Sequence, residues 1–219
     1  MEFTLEPALP SDASRITEIY FAAFTNELSQ RLMPKAEDVR AFRIANFEND
    51  AKEAQRAPLT GSLGDKSGPV THMIKAVGTA PGQPPVIAGF ALWKVFEGDS
   101  DDESGSGVEW PASCDSEVCN TFFAKVDSER KGAIGDKRHY YLNMLAVDPQ
   151  FGRRGLGGKL LKWGLDRADQ ERVVTFISSS PMGRGLYEKH GCRAVNSYEV
   201  VPGYRETSMV RRVAGLSRG

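Results

Sequence analysis

Apolar positions divide this chain into strand-like and helix-like stretches before any single residue is singled out. Residues 3–7 alternate apolar and polar side chains, which predicts a short strand. Ser11 or Asp12 then offers an N-cap for a helix with Ile16, Ile19, Tyr20, Ala23 and Phe24 at helical spacing. A charge-rich helix is expected from about 36 to 55, with a Pro/Gly/Ser loop running on to Gly68. Residues 70–77 and 86–96 read as antiparallel strands across the Gly/Pro-rich turn 78–85, and 115–130 as a helix burying Phe122, Phe123 and Val126. The last third is the most regular. It predicts a strand at 139–147, an amphipathic helix at 155–169 and a strand at 173–179. A helix opened by Ser180-Pro181 and closed by Gly191 follows, then a hairpin of 193–201 and 204–213 turning at Pro202-Gly203. A strand–helix–strand–helix run inside a largely antiparallel set points to an α+β (mixed α/β) fold.

Composition narrows the function without naming it. The chain has 219 residues, and 28 Lys+Arg against 29 Asp+Glu leave a formal net charge of -1. That length favours one domain, 1–219, carrying a long loop-and-helix insert at about 97–137. Near-neutral charge gives no electrostatic case for a nucleic-acid or anionic-membrane partner. No stretch approaches the ~18 apolar residues of a membrane span, and Met1–Glu6 does not resemble a secretory signal. Cys114, Cys119 and Cys192 are a sparse, odd set that fits reduced thiols, so a cytoplasmic location is expected. No second Cys/His pair accompanies Cys114 and Cys119, so no metal is expected. The acidic segment 97–107 is not a calcium loop, because Ser104 stands where glycine is required. It reads as a solvated loop, or else as an acidic rim that steers a cationic substrate.

The glycines carry the chemistry. Gly152, Gly155, Gly157 and Gly158 lie between the strand 139–147 and the helix that Leu156 opens, interleaved with Arg153 and Arg154. Free N–H groups at a helix start, with the macrodipole behind them and two arginines alongside, make a site for a phosphate or pyrophosphate. A P-loop is excluded, because Gly158 stands where its lysine belongs and no hydroxyl residue follows Lys159. A dinucleotide fingerprint is excluded too, since Leu160 occupies the place of its third glycine.

The run from Val147 to Gly157, Val-Asp-Pro-Gln-Phe-Gly-Arg-Arg-Gly-Leu-Gly, resembles the GNAT superfamily of acetyl-CoA-dependent N-acetyltransferases. Their loop reads Gln/Arg-x-x-Gly-x-Gly/Ala, and here Gly152 replaces the first residue. A second motif of that family, Asn-x-x-Ala followed by Leu-Tyr-Glu-Lys-x-Gly-Phe, is similar to Ser180–Cys192, with Ser180 for Asn, Gly183 for Ala and Cys192 for Phe. The insert with Trp110-Pro111 is similar to uncharacterised fungal members. The resemblance implies a mostly antiparallel twisted sheet with a splayed central strand pair, flanked by helices. It implies acetyl-CoA as acyl donor, a small primary amine as acceptor, direct transfer in a ternary complex, and a monomer or homodimer. The backbone of Leu145, Ala146 and Val147 would hold the pantetheine arm. Gly152 to Gly158, with Arg153, Arg154 and Leu156, would hold the pyrophosphate, and Ser180 and Gly183 would join the coenzyme contacts. Tyr187 would protonate the departing thiolate. The strand glutamate of the histone-acetylating branch falls at Tyr141, so it is missing. His139 and Asn143, on Tyr141's face if the strand keeps period two, are the candidates for a base or a water-orienting group. For His139 a plain structural role is the alternative. A coenzyme-binding module without catalysis, a protein N-acetyltransferase and a binder of another nucleotide stay open.

Overall fold

The computed structural model describes residues 1–56, 69–98 and 107–213. In chain order the elements are β1 (Glu2–Pro7), α1 (Ala13–Ala23), α2 (Glu27–Leu32), α3 (Glu37–Arg56), β2 (Val70–Ala80), β3 (Gln83–Phe96) and α4 (Ser116–Ile134). Then come β4 (His139–Val147), α5 (Leu156–Gln170), β5 (Val174–Ser179), α6 (Arg184–Lys189), β6 (Arg193–Val201) and β7 (Tyr204–Arg211). The strands form a single seven-stranded sheet in the order β1-β2-β3-β4-β5-β7-β6. Every neighbouring pair is antiparallel except β4 and β5. That parallel pair follows from the crossover through α5, since parallel strands need a connection long enough to return along the sheet. The fold is α+β, as the pattern of elements implied.

Two faces are covered differently. On one, α5 buries Leu156, Leu160, Leu161, Leu165 and Ala168 against Trp93, Tyr140, Leu142 and Ile177. The fit is close: a Cβ on Gly164 would lie 2.3 Å from the Trp93 ring. On the other face α1, α2 and α3 pack over Met73, Phe90, Leu92 and Ala146, and α4 packs over Phe96, Tyr141, Phe176 and Val210. The charge-rich α3 attaches by a narrow stripe, Val39, Arg43, Phe47 and Ala51, one residue every four. Arg43 lies there with its guanidinium 4.3 Å from the Tyr20 ring centroid and 4.4 Å from that of Phe47.

The departures from the sequence reading are local. α2 was not expected; Asn26 caps it by accepting from the Ser29 N–H at 2.9 Å. The turn 78–85 contracts to Pro81-Gly82, with Gly82 at φ +72, because β3 runs on past its last β4 partner, Gly89. Pro84 and Pro85 lie in that overhang, where no β4 residue requires their missing N–H groups. α6 begins at Arg184 rather than at Pro181. The loop up to Gly68 and the core of the acidic segment, 99–106, lie outside the described residues.

Candidate active site

The site begins with an irregularity in β4. Its register against β3 pairs Leu142 with Trp93 and Met144 with Leu92, which leaves Asn143 as the extra residue of a β-bulge. The bulge reverses the alternation. Tyr140 and Leu142 face α5, and so do Leu145 and Val147, while Tyr141 before the bulge and Met144 and Ala146 after it face the opposite side. The expected common face of His139, Tyr141 and Asn143 is therefore interrupted at Asn143. Pairing with β5 stops at the same level. It runs from His139–Val174 to Leu142–Ile177 and no further, although β4 continues to Val147 and β5 to Ser179. Beyond Leu142 the two central strands are splayed, and among the described residues the β4 edge of Asn143–Val147 that turns toward β5 has no strand partner.

The glycine loop closes one end of this wedge. Asp148 accepts from the Gln150 N–H at 2.9 Å, donates its own N–H to Ala88 O at 2.9 Å, and pairs with Arg15 of α1. Arg15 also donates to Ile87 O at 3.1 Å, so the start of the loop is tied to β3 and to α1. Arg153 and Gly155 take left-handed backbone, φ +60 and +74, and both arginines are exposed. The first N–H bonded inside α5 is that of Lys159, to Gly155 O at 3.1 Å. The N–H groups of Leu156, Gly157 and Gly158 therefore have no acceptor within the helix. These unpaired donors, with two guanidinium groups beside them, fit a pyrophosphate. Gly157 and Gly158 have a second reason to lack side chains. Their Cβ atoms would lie 3.3 Å from Leu186 and 3.3 Å from the His190 ring, so they let α6 sit against the start of α5.

At the other end, β5 passes into a turn in which the Gly183 N–H bonds to Ser180 O at 3.1 Å and to Ser180 Oγ at 3.3 Å. Gly183 admits the ring of Tyr187, since a Cβ there would stand 2.9 Å from Tyr187 Cε2. Tyr187 itself is buried in the α5-side core. Burial, then the charge of Glu206, then Cys192 push its phenol above the ordinary range. Glu206 was not singled out from the sequence. It lies on β7, 5% exposed, with Ser178 Oγ donating to its Oε2 at 2.9 Å and the Tyr204 hydroxyl bonded to it as well. Ser178 Oγ is also 2.7 Å from Tyr198 Oη. Burial raises the Glu206 carboxyl to about 7 against the opposing effect of the Ser178 and Tyr204 hydroxyls.

His139 does not match the expectation of a titrating base. It is 1% exposed and stacked on Phe96, with ring centroids 5.0 Å apart. Its Nδ1 lies 2.7 Å from Lys137 O and its Nε2 3.1 Å from Arg130 Nη1. That geometry assigns the proton to Nδ1 and leaves Nε2 accepting from Arg130. Burial holds the ring down to about 4. The Lys137 carbonyl opposes that shift and Arg130 adds to it. Both ring nitrogens are thus engaged, Nε2 with α4 and Nδ1 with the loop that leads into β4. Asn143 is half-buried at the bulge. His72, for which the sequence suggested no partner, stacks edge-on to Trp163. Among the described residues no group of three metal-ligating side chains forms, and no helix is long and apolar enough to cross a membrane.

Comparison with known proteins places this geometry in a class. Residues 109–213 match the model of the acetyltransferase (GNAT) domain, a stretch that contains α4, the splayed strand pair, the glycine loop and both flanking helices. The stretch 109–213 is thus similar to an acetyltransferase (GNAT) domain, and the class of enzyme is acyltransferase. Solved structures share the fold over the whole length. The Corynebacterium glutamicum protein described as histone acetyltransferase HPA2 and related acetyltransferase superposes with a TM-score of 0.62 at 19% identity, covering 100% of both chains. The polyamine N-acetyltransferase of Drosophila melanogaster gives 0.63 at 13%, over 97% of this chain and 100% of that one. An N-acetyltransferase from Thermoplasma acidophilum in complex with coenzyme A gives 0.56 at 11%, over 97% and 99%. At these identities the likeness is one of fold. No curated protein matches the sequence. The fungal likeness of the insert gains no support from these bacterial, archaeal and insect structures.

Proposed function

We propose that this chain, acting as one domain over 1–219, transfers an acetyl group from acetyl-CoA to the primary amine of a small molecule, directly within a ternary complex. The observation that carries this reading is the splayed β4 edge, which opens beside a helix N-terminus with unpaired N–H groups. Acetyl-CoA would lie with its pyrophosphate on the N–H groups of the 152–158 loop, Arg153 and Arg154 supplying charge, and its pantetheine arm along Leu145, Ala146 and Val147. An N–H on that edge would polarise the thioester carbonyl, an oxyanion-type contribution. Tyr187 would protonate the departing thiolate. The raised pKa keeps the phenol protonated, so that it stands as a hydrogen-bond donor to the departing sulfur, whose charge draws the proton across as the C–S bond breaks. Asn143, at the bulge, would orient a water or the amine. Ser180 and Gly183 act less directly than the motif resemblance suggested, through the turn and the space they give Tyr187. A small acceptor is favoured over a histone tail because Tyr141 holds the place of the histone-type glutamate and is buried under α4. The Drosophila neighbour is named a polyamine N-acetyltransferase that forms N-acetylagmatine.

Two measurements test this. Acetyl-CoA should raise the melting temperature, and free thiol should appear when amines are added. Absence of both would end the reading, and binding without thiol release would reduce the protein to a coenzyme-binding module. In Tyr187→Phe turnover should fall at least tenfold with acetyl-CoA affinity nearly unchanged. Equal turnover would remove Tyr187 from the acid role.

A further inference from the structure

Acetyl transfer to an amine needs an acceptor for the ammonium proton, and His139 has no nitrogen to offer. Glu206 has the position and the environment. On β7 it lies two residues before Ser208, which pairs with Ser178, so its carboxyl stands at the end of β5 where that strand has left β4. Its side chain shares the α4 face of the sheet with Ser178 and Tyr198, the latter covered by Lys125 at 5.9 Å from its ring. Tyr187 packs on the opposite face, and the charge of Glu206 is among the causes that raise its phenol. The partners of Glu206 are hydroxyls, and among the described residues no lysine or arginine pairs with it. A buried carboxylate without a counter-cation is costly, and an incoming ammonium would remove that cost.

We propose that Glu206 is the catalytic carboxylate that receives the acceptor's ammonium and takes one proton from it. This rests on the acetyl-transfer reading above. The Glu206 carboxylate becomes a carboxylic acid and the amine becomes neutral. The nitrogen lone pair forms the C–N bond at the thioester carbon. The C–S bond breaks with its electron pair leaving on sulfur. Tyr187 protonates that thiolate and regains a proton from the nitrogen, which holds one more than the amide needs. The proton on Glu206 passes to solvent, resetting the site. The groups around Glu206 are Ser178 from β5, Tyr198 from β6 and Tyr204 on its own strand, with Tyr187 of α6 on the other face of the sheet. From α4 come Lys125 and Glu129, which pair with each other at 3.3 Å. The carboxyl of Glu206 is raised to about 7, mainly by burial.

The test uses Glu206→Gln, with phenethylamine, putrescine and agmatine as probes. In the wild-type protein kcat/KM should rise with pH through a limb near 7. In the variant that limb should vanish and kcat/KM at pH 8 should fall about 100-fold or more, with acetyl-CoA affinity unchanged. Infrared difference spectra should show a carboxyl band titrating near pH 7 in the wild type and absent from the variant. A variant that keeps its turnover and its pH limb overturns the assignment while leaving acetyl transfer intact. Loss of acetyl-CoA binding in the variant also overturns it, by making Glu206 a coenzyme or folding residue. If the wild type binds acetyl-CoA but releases no thiol with any amine, the transfer reading fails, and this role with it.

Discussion

At the scale of single residues, glycine has opposite meanings in different parts of this chain. Gly155 is needed for its left-handed backbone at the mouth of α5. Gly164, one helix turn after Leu160, is needed for space, because Trp93 is fully buried directly beneath it. These cases predict different outcomes for alanine. In an exposed helix interior Gly→Ala gains about 1 kcal/mol of propensity. At Gly164 the new methyl would meet an immobile indole, and overpacking costs about 1–3 kcal/mol or more. Overpacking wins: Gly164→Ala should lower the urea midpoint by the equivalent of about 1–2 kcal/mol, read with m unchanged. A midpoint above wild type would show that the indole can shift.

Among the elements, the loop after β4 matters most, since it must present a row of N–H groups without a strand beside it. Asp148 holds that loop from beneath. It caps the Gln150 N–H, bonds to Ala88 and pairs with Arg15. Arg15 is 40% exposed and keeps its bond to Ile87, so removing the carboxylate does not strand a buried cation. Asp148→Ala should therefore cost about 1–2 kcal/mol, near the value of a lost cap, rather than the roughly 3–5 kcal/mol of a broken buried pair. Because the loop loses its support, KM for acetyl-CoA should rise severalfold while kcat changes little. Unchanged KM would detach the loop's position from coenzyme binding.

Across the whole molecule, three buried titratable groups set a pH dependence with competing signs. His72 and His139 are held down to about 4 by burial, so their contribution is complete above pH 6.5 and is lost as pH falls toward 4. Glu206 is raised to about 7 from 4.5, so its contribution is complete below pH 4.5 and is lost as pH rises through 7. Two protons against one leave the histidines dominant between pH 6.5 and 4.5, and stability should fall on acidification. Glu206→Gln isolates the opposing part. The variant should be more stable than wild type at pH 8, by on the order of 3 kcal/mol, and the difference should shrink toward zero below pH 4.5. Urea midpoints of both proteins at pH 4.5 and 8 check this. A difference independent of pH would mean that Glu206 does not titrate in the fold.

Period and turn chemistry made much of the last third legible. Leu156, Leu160, Leu161 and Leu165 repeat at the helical period, Gly191 is left-handed at φ +83 as a helix-closing glycine should be, and the glycine–arginine run stands between strand and helix. Those signals are local, because a helix face, a cap or a loop is specified by residues within a few positions of one another. Most of the elements in their order, the fold class and the place of the glycine–arginine loop between β4 and α5 were thus legible from local pattern, α2 being the element missed. The bulge at Asn143 was not legible, since the alternation of β4 is broken by its partner strand rather than by a residue type. His139 could not be told from a base until Arg130, Lys137 and Phe96 closed around it. Glu206 lies 27 residues beyond the end of β5, and only the pairing of β7 beside β5 brings it to the splayed end. A residue's titration and accessibility depend on what the rest of the chain packs around it. The surroundings of each candidate, such as the core packing of His139 and the hydroxyl partners of Glu206, therefore come from tertiary packing.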